Sequence, residues 1–316
     1  PSDAGTSLAI APHEMRWPLQ RDPEFLEGFE VQLLDRGDVK SPVEVKEPAW
    51  PEVFGKTPEI SDRPRSQLAD WLVSPKNPLT ARVWVNRVWQ WHFGKGLVAT
   101  PGDFGAEGEP PTHPELLDWL ASELMDSGWS TKHLHRLILQ SSTYRQSSHF
   151  QKLSASIDPE NHALWRWYPK RLEAEAIRDS ILSVSHRLDL ESGGPSVSSD
   201  VNRRSVYLRQ KRDNLPHQQS LFDGANAVTS CSKRSVSTVA LQPLWLLNGK
   251  LVQQAAESLA QRAGQTSEPV AELFERIMGR RASAEEMQVS KAFVESAGLR
   301  SLAASLLNSN EFLYIP

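Results

Sequence analysis

Cysteine is almost missing from this chain: one residue, Cys231, in 316. That leaves no internal disulfide, no thiol pair for a structural zinc and no Cys-x-x-Cys-His attachment for a haem c. Long hydrophobic runs are missing too. No stretch approaches the roughly 18 to 20 apolar residues that a membrane-crossing helix needs, so no membrane-spanning segment is expected. Nor is there an excess of positive charge, since 35 Lys and Arg face 39 Asp and Glu for a net charge of -4. Nucleic acid is therefore set aside as a partner. The nine histidines include no His-Glu-x-x-His pattern, and His133 and His135 lie two apart on an expected helix, facing different ways. No metal is expected from local spacing, which leaves only coordination from distant residues. The glycines from Gly94 to Gly108 lack a Gly-Lys-Ser/Thr ending, and no Gly-x-Ser-x-Gly elbow occurs, so nucleotide use and serine-hydrolase chemistry are not indicated. No initiator Met or leader opens the chain. Pro1-Ser2-Asp3-Ala4-Gly5 reads as a cut from something longer, with any targeting signal outside it.

What is present describes a folded, helical chain. Apolar residues make up 39% and charged residues 23%, close to ordinary usage, while 22 prolines and 11 tryptophans are high. Residues 1–60 are Pro-rich and acidic without helical periodicity, an extended arm or linker in which Phe29 to Leu34 could form one short strand. From Pro64 the pattern turns helical. Leu68, Trp71 and Leu72 share a face, Asn77-Pro78 opens a second helix through Trp91, and Gly94 and Gly96 end it. Leu97 to Pro111 reads as a loop. Thr112-His113-Pro114-Glu115 offers a capping box ahead of Leu116, Leu120 and Leu124, and Ser130 caps a helix carrying Leu134, Leu137 and Ile138. Leu172 to Leu188 repeats Ile177, Ile181, Val184 and Leu188 at helical spacing, and Gly193-Gly194-Pro195 stops it. Arg204 to Arg209 could be a short strand. Helices resume near Leu241, with a second capping box from Ser283 to Glu286. The expected fold class is mainly α: an irregular multi-helix domain over 61–316, with room for a subdivision near 150–170, an extended N-terminal arm and a few short strands.

Four constellations carry chemistry. Arg171, Glu173, Glu175, Arg178 and Asp179 crowd one helix, with Arg171 and Glu175 spaced i,i+4 and Glu175 set to meet Arg178 and Asp179. A carboxylate there could serve as a general base if burial raised its pKa, although a structural salt-bridge network is the favoured reading. Arg203, Arg204, Arg209, Lys211 and Arg212, then Lys233 and Arg234, form a basic strip that could grip an anion or neutralise the acidic helix, the second being favoured. Trp84 and Trp91 lie seven apart on one helix side. They could form a sugar-stacking platform, but with Val83, Val85 and Val88 on the same helix core packing is the expectation. Cys231 is expected to be a buried thiol rather than a nucleophile.

Three stretches together resemble a planctomycete-type family catalogued as domain of unknown function 1553. They are Leu68-Ala69-Asp70-Trp71-Leu72 with Asn77-Pro78-Leu79-Thr80-Ala81-Arg82 and Asn86-Arg87-Val88-Trp89; then Gly94-Lys95-Gly96-Leu97, Asp103-Phe104-Gly105, His113-Pro114-Glu115-Leu116-Leu117-Asp118-Trp119 and Ser141-Ser142-Thr143-Tyr144-Arg145; and Arg171-Leu172-Glu173-Ala174, Phe222-Asp223, Ser237-Thr238, Leu241-Gln242 and Leu306-Leu307-Asn308-Ser309-Asn310. The resemblance spans about 61–316. Gly224-Ala225 departs from it, standing where the family tends to have proline. The resemblance implies an exported chain in a periplasmic, envelope or extracellular setting, with this domain last and haem c in upstream domains. It supplies no catalytic residues. The function expected is a binding or assembly module that contacts polysaccharide or a haem-bearing partner domain of its own chain. The alternative is a glycan-acting enzyme using Glu173, Glu175 or Asp179, with Arg171, Arg178, Arg203, Arg204 and Arg209 orienting an anionic substrate and Trp84 and Trp91 stacking on sugar.

Overall fold

The structure, a computed structural model, describes residues 31–46, 49–55, 63–212 and 215–315. The chain divides into two compact units, Pro1–Thr80 and Ala81–Pro316. In the first, β1 (Gln32–Leu34) pairs antiparallel with β2 (Pro42–Val45), with a register shift between Leu33 and Leu34. The expected strand is there from Gln32, while Phe29 and Glu30 lie outside the described residues. Its partner strand was not foreseen, because Pro42 to Val45 is only four residues long and every side chain in it is exposed. The turn between them is held by Asp38, which accepts from the Lys40 N–H at 2.9 Å and the Ser41 hydroxyl at 3.3 Å. α1 (Pro64–Leu72) begins on a proline, and its Trp71 stacks on Trp50 at 4.9 Å.

α2 (Pro78–Phe93) starts where Asn77 accepts from the N–H of Leu79 at 3.0 Å. From Ala81 onward α2 joins α3 (Pro114–Asp126) and α4 (Thr131–Gln140) around a core that includes Ala81, Val85, Val88, Leu117, Leu124 and Leu134. α4 is capped by Ser130, as its sequence suggests. The capping box foreseen before α3 does not form. His113 occupies the N-cap without a side-chain bond, because the Thr112 hydroxyl donates instead to the Leu97 carbonyl. That bond ties down the loop after α2, and a second device does the same. Buried Asn86 accepts from the Val98 N–H at 2.9 Å and donates to its carbonyl at 3.0 Å. Gly96 is crossed by this bracket so closely that a Cβ there would sit 2.7 Å from the Asn86 amide.

After α5 (Lys152–Ile157), β3 (Lys170–Arg171) leads into α6 (Ala174–Val184). The helix is shorter than Leu172 to Leu188 because its first residues are drawn into strand pairing, with the Leu172 N–H donating to the Leu313 carbonyl, and Glu173 becomes the N-cap. The segment Arg204 to Arg209 is a 3-10 turn at Ser205–Tyr207 between two single bridges, not a strand. α7 (His217–Leu221) follows. Gly224 donates its N–H to the Gln219 carbonyl at 2.6 Å, a bond that a proline at 224 would forfeit.

A second core joins α6 to α8 (Leu241–Asn248), α9 (Lys250–Ala263), α10 (Pro269–Met278), α11 (Ala284–Leu307) and α12 (Asn310–Leu313), with Ile177, Ile181, Val252, Leu259, Leu273 and Leu307 at its centre. α11 kinks at Gly298 and opens with the full capping box of Ser283 and Glu286. The fold is mainly α, with few and short strands. The last of them, β4 (Tyr314–Ile315), pairs antiparallel with β3. Among the described residues no helix is long and apolar enough to cross a membrane.

Candidate functional site

Within the second unit, a cleft of about 610 Å³ is lined by residues attached to both cores, inside the roughly 300–1,000 Å³ that ligand sites occupy. Its lining is drawn from the C-terminal end of α2 and the loop after it, Thr112, the run 159–173 that includes β3, Phe222 and Asp223, the segment 233–236 and Tyr314. α2 ends abruptly because Gly94 takes a left-handed φ of +79°, which a side chain would strain.

Trp91 stands on this lining and is 53% exposed; Tyr168, also on it, is 58% exposed. This corrects the expectation that Trp84 and Trp91 are core residues. α2 buries Ala81, Val85, Val88 and Trp89 at spacings of four, three and one, so positions 84 and 91 fall on the other side. There the two rings meet edge to face at 5.7 Å, with the Trp84 indole N–H donating to the Thr131 hydroxyl at 3.3 Å.

The acidic helix and the basic strip do not close on each other as one network. Arg171 belongs to β3, not to the helix, and its i,i+4 bond with Glu175 is absent. Its side chain is 6% exposed and pairs with Asp223 at 2.5 Å, with further bonds to the Ser237 carbonyl and to Gln242 at 3.3 Å. Asp223 also accepts from the Ser237 N–H and hydroxyl, both at 2.8 Å. Burial pushes the Asp223 carboxyl up, but these donors and the Arg171 guanidinium outweigh it and hold the group below its ordinary range. Glu175 is gripped by Arg234 at 2.6 and 3.3 Å rather than by Arg178, and Glu173 lies 3.4 Å from the same guanidinium. The bond to Glu175 raises the Arg234 pKa further.

Arg178, Asp179 and Arg203 do not line the cleft. Arg178 is 1% exposed and donates to the carbonyls of Ser199 at 3.3 Å, Val201 at 2.5 Å and Arg203 at 2.8 Å. Asp179 takes the Ser205 N–H at 2.9 Å and hydroxyl at 2.7 Å. Arg203 is buried, bonded to the carbonyls of Glu191 and Gly193, with its guanidinium over the Tyr207 ring. These three organise the 189–205 loop. Arg204 and Arg209 are exposed, without ion-pair partners among the described residues.

Several cleft residues were not foreseen. Lys95, Arg166 and Lys170 line it, as does Asp223, beside Lys233 and Arg234 of the expected basic strip. Isolated cations on irregular segments carry no periodicity to mark them, and only the family resemblance had singled out Phe222-Asp223. Beside Trp91, the His92 Nε2 lies 2.7 Å from the His135 Nδ1. Burial holds His92 below the usual imidazole range, with the charges of His135 and Lys170 adding to the effect. Among the described residues no three His, Cys, Asp or Glu side chains converge as a metal site. Cys231 is exposed, not buried, with its thiol donating to the Lys233 carbonyl at 3.3 Å.

No curated protein and no solved structure matches the chain. A family model does: PSD1, protein of unknown function (DUF1553), over residues 64–294. That match takes in the first core, the second core up to α11, and all of the cleft lining except Tyr314, and the chain belongs to the DUF1553 family.

Proposed function

We propose that this chain is a polysaccharide-binding module of a larger exported envelope protein, and that the cleft between its two cores is where the glycan sits. The observation that carries this reading is the presence of two exposed aromatic rings, Trp91 and Tyr168, on the lining of one cleft that also carries charged side chains. Aromatic faces suit sugar rings because they offer a large apolar surface beside polar groups that bond hydroxyls. The parts of these rings left in water gain from any partner that covers them.

Binding is favoured over hydrolysis by the state of the carboxylates. A glycosidase needs one carboxyl that holds a proton near neutral pH. Asp223 is instead held below the ordinary carboxylate range, and of the carboxylates expected to act, Glu173 and Glu175 are tied to Arg234 while Asp179 lies off the cleft. The other domains of the same chain, including any that bear haem c, are the expected partners in the assembly.

Tryptophan fluorescence of the purified chain, followed during titration with neutral and acidic oligosaccharides, tests the reading. Saturable binding is expected, weakened roughly five- to tenfold by Trp91→Ala and by Tyr168→Ala, the loss of one stacking face being on the order of 1 to 1.5 kcal/mol. Far-UV circular dichroism checks that both variants remain folded. Wild-type protein that binds no glycan would sink the reading.

A further inference from the structure

We infer, on the polysaccharide reading above, that the glycan is acidic and that Lys170 is the residue that reads its charge. The first ground is an imbalance in the cleft. Its two arginines with carboxylate partners, Arg171 and Arg234, are neutralised by Asp223, Glu173 and Glu175. Four other cations on the lining, Lys95, Arg166, Lys170 and Lys233, have no carboxylate partner among the described residues, and Glu160 is the one lining carboxylate left without a cation. With three carboxylates on two arginines and Glu160 beside them, six cations still face four carboxylates around a shared concavity, and a ligand carrying anionic groups relieves the surplus positive charge.

The second ground is how firmly Lys170 is placed. Its backbone is fixed by the ladder between β3 and β4, opposite Ile315. Its stem lies against Gly94, where a Cβ would meet the lysine Cδ at 3.8 Å. Its ammonium donates to the Trp91 carbonyl at 2.7 Å, near the end of α2 where carbonyls lack helical partners and favour a cation. The charge is thus held beside the residue whose ring is offered for stacking, with hydrogens still free to donate. Arg166, by contrast, spreads its guanidinium over Phe150, Trp165 and Tyr168. Stacking gives affinity for any pyranose; a fixed ammonium next to the stacked ring distinguishes a sugar that carries a carboxylate or sulfate from its neutral counterpart.

The test uses matched pairs: a galacturonate hexamer with its methyl ester, and a sulfated galactan oligomer with its desulfated form, titrated into wild type, Lys170→Gln and Trp91→Ala, with sodium sulfate as a competitor. The acidic member of a pair is expected to bind at least roughly tenfold tighter, a preference that Lys170→Gln collapses to about twofold and that added salt erodes. Trp91→Ala should lower both affinities while leaving a preference. A Lys170→Gln protein that keeps the wild-type ratio would overturn the assignment and leave the polysaccharide reading standing. Free sulfate competing at the concentration of the oligomer would also overturn it, by making this an oxyanion site rather than a sugar site. Wild type that binds neither member of either pair removes both.

Discussion

Arg178 shows how far a residue's role lies from its sequence neighbourhood. Spacing on α6 suggests an ion-pair partner one turn away, yet the side chain passes into the 199–205 loop and collects three backbone carbonyls. A buried guanidinium serves there because it brings several donors in a fixed plane to carbonyls that have no secondary structure to satisfy them. Arg178→Met keeps the bulk and deletes the donors, stranding those carbonyls. It is expected to lower unfolding stability by about 3 kcal/mol in a urea titration. Lys170 and Trp91 belong at this scale too, since each is predicted to move ligand affinity without being needed by a core. Nothing in the sequence marks Lys170. Its importance is a matter of which carbonyl and which glycine lie beneath it, and these are contributed by the end of α2 and the residue that follows it, three helices earlier in the chain.

Elements were legible where a local cause sufficed. α2 to α4 and the C-terminal helices follow from apolar spacing, and the caps at Ser130 and Ser283 from a side chain that reaches a backbone three residues on. The misreadings share one cause, which is a distant group outbidding a near one. Thr112 is taken by Leu97, and the first turn expected of α6 is taken by the C-terminal strand. The start of α11 yields a prediction on this scale. Glu286 binds Arg280 as well as the Ser283 N–H, and Arg280 reaches on to Glu311 of α12. The Arg280 bond, foremost among these, lowers the Glu286 pKa from 4.5 to about 2. Because the folded value is the lower one, the contribution is complete above pH 4.5 and disappears as pH falls toward 2. The melting temperature should fall across that window, and fall less in Glu286→Gln, as followed by circular dichroism at 222 nm.

For the second unit as a whole, the cleft exists because one chain builds two hydrophobic cores and lines the space between them with charge and aromatic rings. That a ligand-sized space would be left at their junction was not readable, since no local pattern encodes a concavity. Tyr314 adds to its lining from the end of the described chain, paired opposite Arg171. Deleting residues 314–316 is therefore expected to cut oligosaccharide affinity several-fold while the helical signal stays near wild type, because the bulk of both cores precedes the cut. The same pairing sets an order in time. β3 is made before α6 to α12, and its partner emerges only after all of them, so a ribosome-bound chain can bury most of both cores while Lys170 still waits for the strand that fixes its backbone. The binding surface is in this sense the last part of the second unit to mature, and a nascent chain halted just before Tyr314 would hold both cores while binding its ligand several-fold more weakly.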